Sequence, residues 1–517
     1  MTFPRIALLA AGLAAAAAMA QAGDLSAAST PALETHVSEV ANLVHWVDNL
    51  AGSSIGKTSG IYRRYWQERF GALTPSDRAA LEAFARIRNL PIPSRADLAN
   101  ETGCLPLEDG TPGWHQRFMA ESMRAGSLRQ FVGSLAGSLG EADRAELLAS
   151  LETFRPRFQK VWKDMGFVHA FERRFDRYFE EGGLKGYLLE MARFFGVAGA
   201  SLPAMKVSFI ALPDGGRTHA EADDDYLLVE IRPDDTPQDQ VQVIAHEAAH
   251  FMMQRMTFAE QDALARQAFA AGAAGGAAWR YFWESIPTAL GQGLAESRLA
   301  PQRFSLSNPW YHIPQIDRYA KLIYPVIEES MKRPETIHDG AVARMVDLME
   351  RSSVYRQMNP AGLLMTAFYV SGEGLEEPLR SLRHRLGLGI DVTSRSFALA
   401  DPAGDAWLRR YACMGGLALI APSELDRAAG LADERILDEA GISAVRALVE
   451  QGRSVVAAGR RRSGGVVFVV ILNPADAWRD VAGSLARLRG IPTTPIALGG
   501  GDGPPASAPG SSGRQSR

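Results

Sequence analysis

The sequence predicts an α+β fold that is mainly helical, and three textures predict it. From about Thr35 to Ala198 apolar side chains recur at helical spacing. Near Met205 a strand–turn–strand texture opens and runs into another helix, and after Asp401 short apolar strands alternate with helices. The chain has 517 residues, 46% hydrophobic and 22% charged, which suits several globular domains and excludes collagen-like, coiled-coil and wholly disordered classes. Lys and Arg (55) nearly balance Asp and Glu (59), so there is no basic stripe and no nucleic-acid partner is expected. Two cysteines, Cys104 and Cys413, are too few for a disulfide scaffold or a thiolate-rich metal site; one disulfide between them and two buried thiols are both open.

The N-terminus has the layout of a secretory signal peptide, read as residues 1–22. Met1–Arg5 carries one cation, Ile6–Met19 is apolar, and Ala18-Met19-Ala20 and Ala20-Gln21-Ala22 are small-x-small sites. The apolar run is short for a bilayer span, although an uncleaved anchor is the alternative. A periplasmic or secreted location is expected, with no membrane span after signal removal, because no other apolar stretch reaches spanning length.

Residues 23–200 read as a helical region, with helices over Val37–Leu50, Asp77–Arg88, Glu141–Glu152, Phe154–Phe179 and Gly183–Phe195. Residues 201–395 form the next region. Lys206–Leu212 and Tyr226–Ile231 read as strands, and a helix begins near Pro237 with Asp239 in its first turn. Further helices are expected over Phe258–Ala271, Ala277–Ala300, Ile316–Lys332, His338–Arg351 and Leu375–Leu386. Residues 396–498 read as a small α/β unit. Its expected strands are Leu417–Ala421 and a hairpin of Ser454–Ala458 with Val466–Leu472; its helices are Glu434–Glu450 and Ala475–Arg489. Gly, Pro and Ser dominate 499–517, read as a disordered tail.

The chemistry concentrates in His246-Glu247-Ala248-Ala249-His250. Residues four apart on a helix share a face, so both imidazoles can reach one metal ion, and two neutral imidazole nitrogens suit Zn²⁺. Glu247 lies about 100° around the helix from His246, beside the ligands, where it can act as general base toward an activated water. A chance HExxH is expected roughly once per hundred chains of this composition. Apolar flanks at Val243, Ile244, Phe251 and Met252 would bury the helix and put the histidines in an interior cleft.

Ile244–Phe251, with the strand before it, resembles the zincin metallopeptidases. No His-x-x-Gly-x-x-His follows His250, so the resemblance is to the gluzincin branch, in which a Glu on a downstream helix is the third ligand. It covers about residues 205–330. It implies a zincin-like core with a small antiparallel sheet, bound Zn²⁺ and a peptide or protein substrate. Two glutamates compete for the third position. Glu284 opens Glu-x-x-Pro-Thr-Ala-Leu-Gly, and Trp283 stands where gluzincins often have Asn. Glu296 ends Gly-Gln-Gly-Leu-Ala-Glu, which looks like a gluzincin segment but puts Gln292, a poor zinc ligand, in the ligand position. Glu284 is preferred and Glu296 is the alternative; with Glu284 as ligand, Thr288 would be its partner one turn on. The resemblance also implies an oxyanion donor, for which Tyr311 and His312 are the candidates, with His219 and His338 as lesser ones. It further implies that strand Tyr226–Ile231 could lie at the cleft edge and pair with an extended peptide. An ordinary covered strand is the other reading. Asp223-Asp224-Asp225 lacks the spaced oxygens of a Ca²⁺ loop and reads as a solvated turn.

These features lead to an exported zinc peptidase with His246, His250 and Glu284 as ligands and Glu247 as base. Two rivals are a catalytically silent zincin-fold binding or assembly protein of the cell envelope and a metal-dependent hydrolase of non-peptide amide bonds. No Gly-x-Met-Glu-Asn segment occurs, so the aminopeptidase signature of some gluzincins is absent.

Overall fold

Helices start where the sequence supplies caps. Ser38 accepts a hydrogen bond from the Ala41 amide to open α1 (Glu39–Ala51), which ends on Gly52 at φ 68°. Thr74, Pro75 and Asp77 form a capping box at the head of α3 (Pro75–Arg88), the helix after α2 (Ser59–Phe70). The structure is a computed structural model. It describes residues 33–52, 59–90, 114–197, 204–213, 219–333, 335–352, 367–372, 374–385, 393–396, 415–430, 435–460, 466–473, 478–488 and 492–498. The expected signal segment, the expected tail, Cys104 and Cys413 lie outside these residues.

The described chain is mainly helical with two mixed sheets. After β1 (Leu33–His36) and α1–α3 come α4 (Trp114–Arg124), α5 (Leu128–Ser134), α6 (Glu141–Asp164), α7 (Phe167–Glu181) and α8 (Leu184–Phe194). The stretch Phe154–Phe179, expected as one helix, is the end of α6 and most of α7, separated at Met165-Gly166. Strands β2 (Met205–Ala211), β3 (Ala220–Asp223) and β4 (Tyr226–Ile231) precede α9 (Pro237–Gln254), α10 (Phe258–Phe269) and α11 (Gly272–Thr288). The expected helix Ala277–Ala300 is three pieces: α11, a π-helical segment at Ala289–Ala295, and α12 (Glu296–Leu299). Pro287 interrupts the α pattern just before the π segment, because proline has no N–H to donate. Then come α13 (Pro314–Lys332), a π turn at Ile337–Ala341 and α14 (Val342–Arg351), so the expected His338–Arg351 helix starts as a kinked turn around Gly340. No helix among the described residues is long and apolar enough to cross a membrane.

The chain divides into two compact units, and the first comprises the described residues within Met1–Ala99, Leu107–Gln261 and Trp283–Val342. Its sheet has the order β1-β2-β4-β3. β1, β2 and β4 are parallel, and only β3 pairs antiparallel with β4, through a turn with Asp224 at φ 60°. The expected small antiparallel sheet is therefore a mixed one. Among the described residues eight α-helices intervene between β1 and β2, and a crossover of that length brings the chain back in the same direction. Strand β4 is buried at every residue and lies between β2 and β3, so the edge strand on this side is β3 rather than Tyr226–Ile231. Asn42 of α1 ties that helix to β2: it donates to the Phe209 carbonyl (3.2 Å) and accepts from the Ala211 amide (2.8 Å).

Beneath the sheet a fully buried carboxylate, Glu230, is satisfied by the protein itself. His45 Nε2 (2.8 Å) and the Tyr62 hydroxyl (2.9 Å) meet its Oε1, and the His219 amide donates to Oε2 (2.8 Å). Burial, then the Glu230 charge, pushes the Tyr62 hydroxyl well above its ordinary pKa, so it stays a donor.

The second unit comprises the described residues within Asp262–Phe282 and Ala343–Arg517. Its sheet has the order β10-β8-β9-β7-β5-β6. The strands are β5 (Ala367–Ser371), β6 (Thr393–Ser396), β7 (Gly415–Ile420), β8 (Ser454–Arg460), β9 (Val466–Ile471) and β10 (Ile496–Leu498). β6, β5, β7 and β9 are parallel, whereas β8 pairs antiparallel with β9, the expected hairpin. Val455, Val467, Val469 and Ile471 pack with Val445 of α17 (Glu439–Glu450), which follows α15 (Glu376–Arg385) and α16 (Leu425–Ala428). Helix α18 (Trp478–Arg487) precedes β10.

Replacing Glu230 with Ala leaves two side-chain donors and one amide without their acceptor. Urea unfolding followed by tryptophan fluorescence should show a loss of about 3–5 kcal/mol, against about 1 kcal/mol for Tyr62→Phe. Equal small losses would refute the view that Glu230 organises this cluster.

Candidate metal centre

Helix α9 carries the two histidines. Its first turn is closed by Asp239, whose carboxylate accepts from the Thr236 amide (2.6 Å), and Pro237 sits where its missing N–H costs nothing. Ile244, Ala245, Ala248, Ala249 and Phe251 to Met253 are all at 0% exposure, so the helix is clamped on its apolar sides. His246, Glu247 and His250 are themselves buried, at 7%, 8% and 6% exposure.

The other wall is the end of α11 and the π segment. That segment packs against α9 so closely that a Cβ at Gly291 would fall 2.9 Å from the His246 Cβ and nearer still to the Gln242 carbonyl oxygen. Only a glycine allows this approach. It brings Glu284, one turn before the end of α11, onto the histidines. Glu284 Oε2 lies 3.5 Å from His246 Nε2 and 3.8 Å from His250 Nε2, and the two Nε2 atoms are 3.2 Å apart. A tetrahedral zinc ion with bonds near 2.0–2.1 Å sets its donors roughly 3.3 Å apart, so the triangle has the size that such an ion needs. Among the described residues this is the group of His, Cys, Asp or Glu side chains able to hold a metal ion.

Glu296, the alternative ligand, points elsewhere: its carboxylate lies 3.6 Å from Arg303 Nε. The π segment alters the helical phase, but it leaves Glu296 on the Arg303 side.

Burial would pull the His246 imidazole down, but the hydrogen bond to Glu284 and the charges of Glu247 and Glu284 outweigh it and raise its pKa. Burial likewise acts to raise Glu284, yet its bonds to both histidines hold it well below the usual carboxylate range. A proton on His246 thus clamps the carboxylate in the absence of a metal. Glu247 lies near β3. Asp223 of that strand is pushed well above its ordinary pKa, first by burial, then by Glu221, with Glu247 adding to the effect. Asp223 is only 2% exposed, and Asp224 and Asp225 are half-buried in ion pairs with Arg124, so the expected solvated turn is instead a packed, ion-paired one.

Aromatic rings flank the histidines. Trp283 packs on His250 (centroids 4.5 Å apart), and Tyr311 lies parallel to His246 at 6.2 Å and 14°. The amides of Trp310 (2.5 Å) and Tyr311 (3.4 Å) both donate to Asp317 Oδ1 at the head of α13, which fixes the loop. His312 is exposed and stacks on Tyr311 at 4.5 Å, one ring further from His246. Of the two candidates, Tyr311 is the one brought against a site histidine. His219 and His338 are elsewhere: His219 lies in the Glu230 cluster, and His338 sits in the π turn facing Gly196. Thr288 is fully buried, and its hydroxyl makes no hydrogen bond among the described residues. Instead Gln292 Oε1 meets His246 Nδ1 at 3.3 Å, a contact that helical spacing from Glu284 does not reveal. Next to the site, Val243, Gln242, Tyr311, His312, Arg232 and Arg303 line part of a cavity of about 430 Å³.

No family model matches this chain, and no curated protein or solved structure matches it. The chemistry of the site rests on its own geometry.

The pKa shifts define a pH dependence. The raised His246 pKa means that, without metal, the pair stabilises the fold below the ordinary 6.5 and loses this as pH rises through the raised value. The depressed Glu284 pKa adds stability above the ordinary 4.5, lost as pH falls through its lowered value. A divalent ion must displace the His246 proton. Its affinity should therefore climb about tenfold per pH unit below the His246 pKa and level off above it, as read by zinc titration across pH 5.5–8.5. A flat profile would mean that His246 is not a ligand.

Proposed function

We propose that the chain is a zinc-dependent peptidase with a zincin-like core, acting outside the cytoplasm once residues 1–22 are removed. The observation that carries this reading is the triangle of His246 Nε2, His250 Nε2 and Glu284 Oε2, with edges of 3.2–3.8 Å, beside a buried glutamate that is not part of it. Two imidazoles and one carboxylate are the donor set of a catalytic zinc site with one position left open. When bound, zinc supplies Lewis acidity that makes water nucleophilic near neutral pH.

The chain's own residues supply the rest. Glu247, next to the ligands and largely shielded from bulk water, takes the proton of the attacking water and passes it to the leaving amine. Asp223, on the neighbouring strand, has its pKa pushed up first by burial and then by Glu221, which disfavours a second negative charge beside Glu247. Tyr311, parallel to the His246 ring, is the candidate donor to the developing oxyanion. The adjoining cavity of about 430 Å³ gives room for a substrate residue, and its lining of Arg232, Arg303 and His312 suits a polar one. The edge strand β3 is the backbone with which an extended peptide would pair.

Glu247→Gln should retain stoichiometric zinc and lose roughly 10²–10⁴-fold of the hydrolysis of a peptide library, whereas Glu284→Ala should lose zinc as well. Metal analysis and mass-spectrometric product detection read both. Full peptidase activity in Glu247→Gln, or a wild-type chain that takes up no zinc, would sink the proposal.

A further inference from the structure

Each metal-site imidazole must offer Nε2 with its lone pair free, so its proton must sit on Nδ1. The two histidines meet that requirement differently. His250 Nδ1 is buried with no hydrogen-bond partner among the described residues, and packing by Trp283 holds its ring. His246 Nδ1 faces the side-chain oxygen of Gln292 at 3.3 Å.

Gln292 follows Glu284 by eight residues, which on an unbroken α-helix puts them about 80° apart around the axis. Both nonetheless meet the same imidazole, one at each ring nitrogen. The π segment Ala289–Ala295 makes this possible, because its i→i+5 turns hold an extra residue and rotate Gln292 back toward α9. Several contacts keep the segment in that form. Pro287 breaks the α pattern before it, and the Tyr187 hydroxyl donates to the Leu290 carbonyl (2.6 Å) inside it. Gly291 and Gly293 let it lie against His246 on one side and the Tyr324 and Trp310 rings on the other.

We propose that Gln292 is a positioning residue, and that the π segment delivers its amide oxygen to His246 Nδ1, selecting the tautomer and ring orientation that aim Nε2 at the metal position. This rests on the metal-site reading above. The residue type matters as well. A carboxylate would orient the ring equally well, but it would cancel the net charge of +1 that a divalent ion keeps beside two neutral imidazoles and one Glu. A neutral amide orients the ring and preserves the ion's electrophilicity.

The test uses the full chain as wild type, Gln292→Ala and Gln292→Glu. Three properties are measured: zinc affinity by chelator competition, the ¹⁵N shifts of His246 with and without zinc, and the melting temperature of the metal-free protein. Gln292→Ala should weaken zinc binding roughly 10- to 100-fold with unchanged metal-free melting, and move His246 away from the Nδ1–H tautomer. Gln292→Glu should restore that tautomer and bind zinc at least as tightly as wild type. Wild-type affinity in Gln292→Ala overturns the proposal. So does a loss that follows lowered metal-free melting and is not rescued by Gln292→Glu. Failure of the wild type to bind zinc would overturn the metal-site reading instead, and the metal-free ¹⁵N shifts would still decide whether Gln292 orients His246.

Discussion

The approach of the π segment to α9 governs the site. Because Gly291 has no side chain, two backbones meet where any Cβ would collide with His246. That contact brings Glu284 within reach of both histidines. It also lets α13 close over the far side of the segment, where Tyr324 and Trp310 meet Gly293. The loop that leads into α13 then presents Tyr311 to His246. The position of Glu284, the contact of Gln292 with His246 and the flanking aromatic wall thus share one origin, a helix thinned on two sides and rewound by π turns.

Two buried polar groups in the same unit show how burial can serve different ends. Glu230 is at 0% exposure, and protein donors answer both its oxygens, so it closes on itself and ties α1, α2 and β4 together. The His246–His250–Glu284 group does not close in this way. Two imidazole nitrogens 3.2 Å apart cannot both hold protons toward each other, and a carboxylate beside them attracts positive charge. Burial in low dielectric sharpens that demand for a cation. A proton meets it in part, as the opposed shifts of His246 and Glu284 record.

Much of the site was legible in the chain. HExxH places two imidazoles on one helical face by spacing alone, and the gluzincin resemblance narrowed the third position to Glu284 or Glu296. Asp239 was readable as the first turn of α9, and its carboxylate answers the Thr236 amide there, whereas the caps Ser38 and Thr74 emerged only in the structure. Gln292 was visible only as a poor ligand, because helical arithmetic assumed an unbroken α-helix between it and Glu284. Strand direction was also hidden: the apolar runs of β2 and β4 look alike whether parallel or antiparallel, and β3 is a four-residue strand with two acidic residues.

The sequence by itself therefore determined the chemistry available, namely which residues could bind a cation or move a proton, and that the chain is mainly helical. These are local matters, set by side-chain type and by contacts within a turn or two. Only the tertiary structure decided which glutamate meets the histidines, which aromatic ring lies on His246, and which strand forms the sheet edge. Those outcomes depend on how closely distant backbones approach, and that approach is set by packing at Gly291 and Gly293 and by the crossovers between strands, which no short window of sequence contains.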